Sequence, residues 1–231
     1  GSKGIPRKNL MNVAGKPLLW WSIQAAKTSD LLERFVVSTE DYEIAEFAQK
    51  SGAEVMWRPD DLASDNATTI DLLQNFVSKV DTDSILLLQP TSPIRFNGLI
   101  DRAIENFLQN KIDTLATGFF CRYWEWGSRK NLPRQVDPGY FYDDGNIYIM
   151  SSKNLKEFEW TGDSKYPMIV ESYYHLEIDD IFEAYMVEDL MLRINNVFGE
   201  DVLTMNKIHN FDSTLLESYL GFNQNSFCLG N

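Results

Sequence analysis

Apolar residues recur along this chain in two alternating patterns, short continuous runs and longer segments with a period near 3.6 residues. The runs at residues 34–39, 53–59 and 84–89 are rich in β-branched and aliphatic side chains, which is typical of strands. Helical spacing is found between them, over residues 41–51 and 68–80. Because strands and helices alternate, the pattern predicts a parallel, doubly wound α/β sheet.

The remaining segments extend this pattern less regularly. Asp144-Gly145 is predicted to form a hairpin-type turn, and Pro17 fits the first turn of a helix because its missing N–H is not needed there. We assign residues 1–195 to one domain and residues 196–231, where the pattern weakens, to a C-terminal extension of unknown role. Helices are predicted over residues 16–26, 97–111 and 181–191, and strands over residues 113–120, 146–150 and 173–178.

Polar, turn-forming segments follow the first three predicted strands, at residues 38–41, 58–61 and 89–93. In doubly wound sheets, ligands bind at the carboxyl ends of the strands. We therefore expect these three segments to line one crevice.

The first sixteen residues are basic in a chain whose net charge is −13: they contain Lys3, Arg7, Lys8 and Lys16 and no acidic residue. A glycine such as Gly4 lets the backbone approach a ligand closely, and lysines supply point charges suited to phosphate. The stretch predicts a loop that binds a triphosphate. The alternative is a solvated basic arm, since a loop of glycine and lysine is a weak motif by itself.

A phosphate-binding loop that opens an α/β fold normally follows a buried strand, but here the loop starts at Gly1. We expect that a first strand precedes Gly1 and is missing from this sequence. The alternative is that Gly1-Ser2 is an added dipeptide, in which case the likeness to a phosphate loop is accidental.

Acidic residues cluster where the predicted strand at residues 173–178 gives way to a helix. Alternation along a strand would place Glu177 and Asp179 on one face, where two carboxylates repel each other unless a cation lies between them. Oxygen ligands of this kind suit Mg²⁺. The alternative is that Asp179 or Asp180 caps the helix that follows.

The net charge of −13 argues against nucleic-acid and membrane partners and favours a small phosphorylated ligand. Cys121 and Cys228 match no metal or redox spacing, and we expect a cytoplasmic protein. His175 and His209 lack a partner at metal-ligand spacing and are expected to be structural or exposed. The sequence shows neither an apolar run long enough for a membrane span nor a secretion signal.

Aromatic residues and arginines are interleaved over residues 119–143. Such a mixture could stack on nucleic acid, but the acidity of the whole chain argues against that reading. Because Trp, Tyr and Arg are enriched at the centres of interfaces, we expect a small protruding arm that forms a homodimer.

Four motifs occur together in a fixed order: GSKGIPRKN at residues 1–9, VVSTE at 36–40, RPDDLASD at 58–65 and QPTSPIR at 89–95. In this combination the chain resembles the cytidylyltransferases that activate acidic keto sugars, the CMP-sialic acid synthetase type. The resemblance covers roughly residues 1–190 and is strongest in the first half.

The resemblance implies a Rossmann-like mixed sheet of the nucleotide-diphospho-sugar transferase type. It also implies an Mg²⁺-dependent reaction. The anomeric hydroxyl of a nonulosonate, such as a sialic, legionaminic or pseudaminic acid, attacks the α-phosphorus of CTP, and CMP-sugar and pyrophosphate form. The expected partners are therefore CTP, an acidic keto sugar and a second copy of the chain.

The resemblance also assigns roles to individual residues, and four of them, Lys3, Lys8, Gln89 and Asp179, are expected to be catalytic. The metal would be held by Glu177 and Asp179. The nucleotide would be bound by Ser2, Lys3, Gly4, Lys8, Asn9, Arg58, Ala67, Thr69 and Leu87, and the sugar by Gln89, Thr91, Ser92, Arg95 and Arg134.

The chain departs from the family pattern at two places. The family usually has an Asp-x-Asp metal pair, whose first position is Glu177 here, and an Asn-Gly where this chain has Asp144-Gly145. Two other functions stay open: a related sugar nucleotidyltransferase of the octulosonate or hexose type, and a catalytically silent nucleotide-binding module, which the two departures and the absent first strand suggest. An interaction module built on the aromatic stretch is a third alternative, but it leaves the four motifs unexplained.

Overall fold

The computed structural model describes residues 4–64, 67–123, 127, 133, 135–157, 160–199, 201–208, 211–214 and 216. In this part of the chain, strands and helices alternate as the apolar pattern predicts. The helices are α1 (Leu18–Thr28), α2 (Tyr42–Lys50), α3 (Thr69–Lys79), α4 (Leu99–Asn110), α5 (Ser152–Lys156) and α6 (Ile181–Phe198). The strands are β1 (Asn12–Val13), β2 (Lys16–Pro17), β3 (Val36–Thr39), β4 (Glu54–Trp57), β5 (Ser84–Leu88), β6 (Thr114–Cys121), β7 (Tyr140–Ser151) and β8 (Lys165–Ile169).

The strands form a mixed arrangement in which parallel and antiparallel pairs both occur. β3 pairs in parallel with β4, and β6 pairs in parallel with β8. The long strand β7 lies between β5 and β6 and is antiparallel to both, so the four-stranded order is β5-β7-β6-β8. The predicted mixed α/β sheet is confirmed.

Side chains alternate between two cores on opposite faces of this sheet. Ile147 and Ile149 of β7 enter the larger core with α1, α4 and α6, whereas Tyr148 and Met150 enter a smaller core with α3 and α5. A third cluster joins α1 and α2 to β3 and β4 through residues such as Ile23. Helices therefore cover both faces of the sheet, as expected for a doubly wound fold.

Four helices, α2, α3, α5 and α6, begin at a residue whose side chain accepts a hydrogen bond from a backbone N–H of the first turn. Asp41 accepts hydrogen bonds from Glu43 N and Ile44 N at the start of α2. Thr68 at α3 and Asp180 at α6 each form a reciprocal capping box with the residue three positions later. None of the helices in the described part of the chain is both long and apolar enough to cross a membrane.

Three local predictions are wrong. Residues 173–178 do not form a strand: Ser172–Tyr174 is a 3₁₀ turn, and Tyr173, Tyr174 and Ile178 are apolar because they are buried in the core. The predicted turn at Asp144-Gly145 lies inside β7 at a bulge, where Gly145 has a φ of 69°. The first helix begins at Leu18, because Lys16–Pro17 pairs with Asn12–Val13.

The base of the predicted arm is an extension of β6 and β7 beyond this bulge. Phe119, Phe120 and Cys121 pair there with residues 140–142 of β7. Phe120 and Tyr142 are exposed to 61% and 52%. Half of the residues between the two strands, nine of eighteen, lie outside the described residues.

Asp101 fixes the packing of α4 against the segment after α1. Its carboxylate accepts hydrogen bonds from Ser29 Oγ, from Asp30 N at 3.1 Å and from Asn206 Nδ2 at 2.8 Å. Burial by itself would raise the pKa of Asp101, but these hydrogen bonds lower the pKa below its usual value. The ionised form is therefore the one that stabilises the fold.

We predict that Asp101→Asn lowers the free energy of unfolding by about 1–3 kcal/mol at pH 7. A carboxylate with a depressed pKa contributes stability that is present above its unfolded pKa and is lost as the pH falls through the folded pKa. The difference between wild type and variant should therefore shrink in acid. Urea unfolding at a series of pH values measures it, and a difference that does not change with pH would contradict the assignment.

Candidate active site

The polar segments at the strand ends open onto one cavity. Its volume is about 1200 Å³, and the ends of β3, β4 and β5 contribute to its lining. This confirms the crevice predicted from the sequence. Of the predicted nucleotide-binding residues, those that line the cavity are Lys8, Asn9, Arg58, Thr69 and Leu87, together with the predicted sugar ligand Gln89.

Arg58 joins two strand ends at this cavity. Its Nη2 donates a hydrogen bond to Ser38 O at 2.9 Å, and its Nη1 lies 3.4 Å from Glu40 Oε2. Its Nε is buried and has no acceptor among the described residues. Arg58 therefore retains a donor that an anionic or carbonyl group of a ligand could accept.

The basic N-terminal loop is held from two sides by acidic segments. Lys8 Nζ donates to Ile178 O at 2.7 Å and lies 3.3 Å from Asp179 Oδ1, while Arg7 pairs with Glu43. A Cβ atom on Gly4 would lie 2.4 Å from Asp179 O, so this close approach of two backbones requires glycine. The loop is thus packed against the acidic cluster and is not a free solvated arm. Ser2 and Lys3 lie outside the described residues.

Glu177 lies beneath the loop that follows β5. Thr91 Oγ1 donates to Glu177 Oε1 at 2.8 Å, and Ile178 N donates to Thr91 O at 2.9 Å. Burial raises the pKa of Glu177; the hydrogen bond from Thr91 opposes this effect, and the negative charge of Asp179 raises the pKa further. The two carboxylates are therefore close enough to repel, although they do not alternate along a strand.

Asp180 is the residue that caps α6, as the alternative interpretation of the acidic cluster predicts. Asp180 Oδ1 accepts hydrogen bonds from Phe182 N and Glu183 N, and Glu183 in turn accepts from Asp179 N and Asp180 N. The side chain of Asp179 is 74% exposed and points to Lys8. Helix capping and a charged pair at Glu177 and Asp179 therefore coexist.

The burial of Ser92 and Arg95 corrects the prediction that these two side chains contact the sugar. Their exposed fractions are 0% and 3%. Arg95 donates to Gln89 O at 2.7 Å, to Asn146 O at 2.8 Å and to Ser22 Oγ at 3.0 Å. Burial lowers the pKa of Arg95 to about 9, against the opposing charges of Asp144 and Glu177. Arg95 therefore supports the crevice from below and does not face it.

Asn146 is a supporting residue that the sequence analysis did not identify. It is fully buried, and its Nδ2 donates to Ile94 O at 3.1 Å and to Tyr174 O at 2.9 Å. Its side chain thus joins β7 to the loop after β5 and to the segment before Glu177. The only sequence signal was an amide within an otherwise apolar run.

Asp144 is also buried. The aspartate that stands here in place of the family's asparagine therefore lies in the interior of the domain. Asp144 Oδ1 accepts from Thr117 Oγ1 at 2.7 Å and from Asn146 N at 3.0 Å. Burial raises the pKa of Asp144. A Cβ atom on the neighbouring Gly145 would lie 3.0 Å from Glu177 Oε2, so this glycine also leaves room for the acidic pair.

The remaining predicted residues are distributed as follows. Ala67 is half-buried and Thr69 is exposed at the start of α3, and the predicted sugar ligand Arg134 lies outside the described residues. Among the residues that the structure describes, no group of three or more histidine, cysteine or acidic side chains could hold a metal ion. Any metal at Glu177 and Asp179 would thus need further oxygen ligands from water or from a substrate.

The fold occurs in a solved structure of a CMP:2-keto-3-deoxy-manno-octonic acid synthetase complexed with CTP. The TM-score is 0.67 at 14% sequence identity, over 84% of this chain and 95% of that chain. The protein therefore has the fold of a nucleotidyltransferase. The model of the Cytidylyltransferase family matches residues 1–126, and the chain belongs to that family.

Two curated relatives extend the match beyond residue 126. CMP-N,N'-diacetyllegionaminic acid synthase of Legionella pneumophila is 34% identical over 83% of this chain and 92% of its own length. N-acylneuraminate cytidylyltransferase of Streptococcus agalactiae is 29% identical over 78% of this chain. The match spans about half of the latter protein, 48% of its length.

We predict that Asn146→Ala lowers the free energy of unfolding by about 2–4 kcal/mol, because two buried carbonyl groups lose their donor. Asn110→Ala is the matched control: Asn110 donates to Asn106 O on the exposed face of α4, and its loss should cost less than about 0.5 kcal/mol. Chemical denaturation measures both. Equal effects of the two substitutions would show that Asn146 does not hold the loops together.

Proposed function

We propose that the protein transfers the cytidylyl group of CTP to an acidic keto sugar of the nonulosonate class and releases pyrophosphate. One observation carries this proposal: Lys8 joins the basic loop to the acidic pair at the mouth of a cavity that Arg58 and Gln89 also line. A cation beside carboxylates, at the ends of parallel strands, suits a triphosphate with its metal. The names of the two curated relatives support the sugar class.

In this proposal the nucleotide lies along the ends of β3, β4 and β5. Lys8 balances the charge of the leaving pyrophosphate, and Lys3 does so with it. Arg58, Thr69 and Leu87 surround the base and ribose, close to Ala67. Gln89 and Thr91 face the incoming sugar, because Arg95 and Ser92 lie below the surface of the crevice.

Catalysis depends on positioning the two substrates and neutralising the phosphate charge more than on a covalent intermediate with the protein. The anomeric hydroxyl of the sugar attacks the α-phosphorus, the bond from this phosphorus to the bridging oxygen breaks, and pyrophosphate leaves. Arg95 and Asn146 fix the loop that presents Gln89 and Thr91, so the acceptor meets a crevice that is already arranged. The sugar carboxylate needs a cation, for which the exposed Arg122 is a candidate. Arg134, which lies outside the described residues, is the second candidate.

Glu177 and Asp179 fit a magnesium ion. The burial of Glu177 beside a second carboxylate favours a cation at this position, and Mg²⁺ commonly uses one or two carboxylates together with substrate phosphates. When bound, the ion would neutralise phosphate charge and lower the pKa of the attacking hydroxyl. The longer side chain of Glu177 provides the same oxygen ligands as the aspartate usual in the family.

Exposed aromatic residues on the extension of β6 and β7 support a homodimer. Phe120, Tyr123, Tyr140 and Tyr142 are between 41% and 79% exposed within one region. Side chains of this type are enriched at the centres of protein interfaces. The interaction would leave the nucleotide cavity of each copy open at the strand ends.

The direct test is pyrophosphate release from CTP and Mg²⁺ with a panel of sialic, legionaminic and pseudaminic acids and an octulosonate. Release that depends on a nonulosonate is expected. Release with the octulosonate alone would assign the protein to another sugar class. CTP binding without release across the panel would identify a silent nucleotide-binding module and overturn the proposal.

We predict that Asp179→Asn reduces Mg²⁺-dependent turnover by about 100-fold or more, because a carboxylate that holds the metal is lost. Asp180→Asn is the matched control, since asparagine caps a helix about as well as aspartate and should leave turnover and stability nearly unchanged. Steady-state kinetics and thermal unfolding distinguish the two roles. A similar loss of activity in both variants would argue against a metal at Asp179.

A further inference from the structure

Glu177 is the half-buried member of the acidic pair, and its carboxylate is restrained from two directions. Thr91 Oγ1 donates a hydrogen bond of 2.8 Å to Glu177 Oε1. From another direction, a Cβ atom on Gly145 would lie 3.0 Å from Oε2 and 3.3 Å from both Cδ and Oε1 of the same carboxylate. The carboxylate therefore lies between one hydroxyl donor and the bare Cα of a glycine.

A glutamate needs such restraint more than an aspartate does. Its side chain has one more rotatable bond than that of Asp179, so its carboxylate can occupy more positions relative to the backbone. Asp179 is held by the ammonium group of Lys8, at 3.3 Å from Oδ1. Groups that orient a metal ligand contribute to metal affinity although they do not touch the metal. The contacts of Glu177 therefore bear on how well it can hold a cation.

Thr91 is suited to this role because its own backbone is fixed. Ile178 N donates to Thr91 O at 2.9 Å, so the residue that follows Glu177 is tied to the same threonine. At the start of this loop, the buried Arg95 donates from Nη2 to Gln89 O at 2.7 Å. The hydroxyl of Thr91 thus projects from a loop that is held on both sides.

The direction of the hydrogen bond also suits a carboxylate that binds a cation. The hydroxyl of Thr91 has one proton, which it donates to Glu177, and this contact uses one of the roughly four lone-pair sites of the carboxylate. Other lone pairs of Glu177 can meet a metal ion while the contact with Thr91 is kept. The Thr91 oxygen retains lone pairs of its own, so it can also accept a hydrogen bond from a sugar hydroxyl.

We propose that Thr91 is a positioning residue for the metal: its hydroxyl, together with the bare Cα of Gly145, orients the Glu177 carboxylate as a ligand of a divalent cation. The inference rests on the proposed function, in which Glu177 and Asp179 hold Mg²⁺. It assigns to Thr91 an effect on metal affinity that a contact with the sugar would not produce. This effect requires a side chain as long as glutamate at residue 177.

Mn²⁺ is a suitable probe, because electron paramagnetic resonance measures its binding without turnover. The full chain is titrated with Mn²⁺, with and without CTP and in the absence of any sugar. We expect Thr91→Val to weaken the Mn²⁺ affinity about tenfold or more, as loss of a group that orients a metal ligand typically does. Thr91→Ser keeps the hydroxyl donor and should stay within about threefold of the wild type.

Two further comparisons separate positioning from a general effect on folding. Thr28→Val is the matched control, because Thr28 is also half-buried and its Oγ1 donates to Ala25 O in α1, away from the acidic pair. Its Mn²⁺ affinity should equal that of the wild type. In Glu177→Asp the carboxylate is one methylene shorter and should not reach the hydroxyl of Thr91. Adding Thr91→Val to Glu177→Asp should therefore change the Mn²⁺ affinity by less than about twofold.

Three results would overturn the proposal. The first is an Mn²⁺ affinity of Thr91→Val equal to that of the wild type. The second is an equal loss in Thr28→Val, or when Thr91→Val is added to Glu177→Asp, since Thr91 would then act by a route other than Glu177. The third is a lack of Mn²⁺ binding by the wild type with CTP present, because there would be no metal to position.

This inference and the proposed function fail separately. A weaker Mn²⁺ affinity in Thr91→Val, reversed in Thr91→Ser, without pyrophosphate release for any sugar would leave the positioning role established and refute the enzymatic proposal. Pyrophosphate release by the wild type, together with an unchanged Mn²⁺ affinity in Thr91→Val, would leave the enzymatic proposal standing and refute the positioning role.

Discussion

The arrangement of the crevice depends on one buried positive charge. A guanidinium removed from water costs several kcal/mol unless its donors are satisfied, and the donors of Arg95 are directed to α1, to the end of β5 and to β7. A shift of any of these three elements would leave a desolvated charge without an acceptor. The Arg95 guanidinium therefore holds the loop that carries Gln89 and Thr91 rigidly, and the polar edge of the cavity is fixed before a ligand arrives.

Each of the four consecutive residues 177–180 makes a different structural contact. Glu177 is held by Thr91, the backbone of Ile178 joins two loops, Asp179 meets Lys8, and Asp180 starts α6. Each task needs a different direction of the side chain or backbone, which a regular strand would not provide. The irregular backbone after Ser172–Tyr174 therefore suits a site where one short segment must contact three neighbours.

Elements that depend on local periodicity could be predicted from the sequence, and those that depend on distant partners could not. The run that becomes β5 and the helices α2 and α3 were predicted within a few residues, because their apolar spacing and caps are local. The antiparallel direction of β7 depends on pairing with residues far along the chain. In the same way, Arg95 occurs in a polar motif, and from the sequence it is therefore expected to contact a ligand. Its hydrogen bonds to Ser22 and Asn146, which are distant in sequence, show that it is buried.

The bulge at Gly145 separates two lengths of β7 that lie in different surroundings. On one side, successive residues alternate between two packed cores, so a substitution there disturbs one layer of the domain or the other. On the other side, the ribbon formed with β6 projects away from those layers, with its aromatic side chains exposed. Because a bulge absorbs changes in twist and register locally, a change of twist in the outer ribbon is taken up at Gly145 without moving the packed layers of the domain.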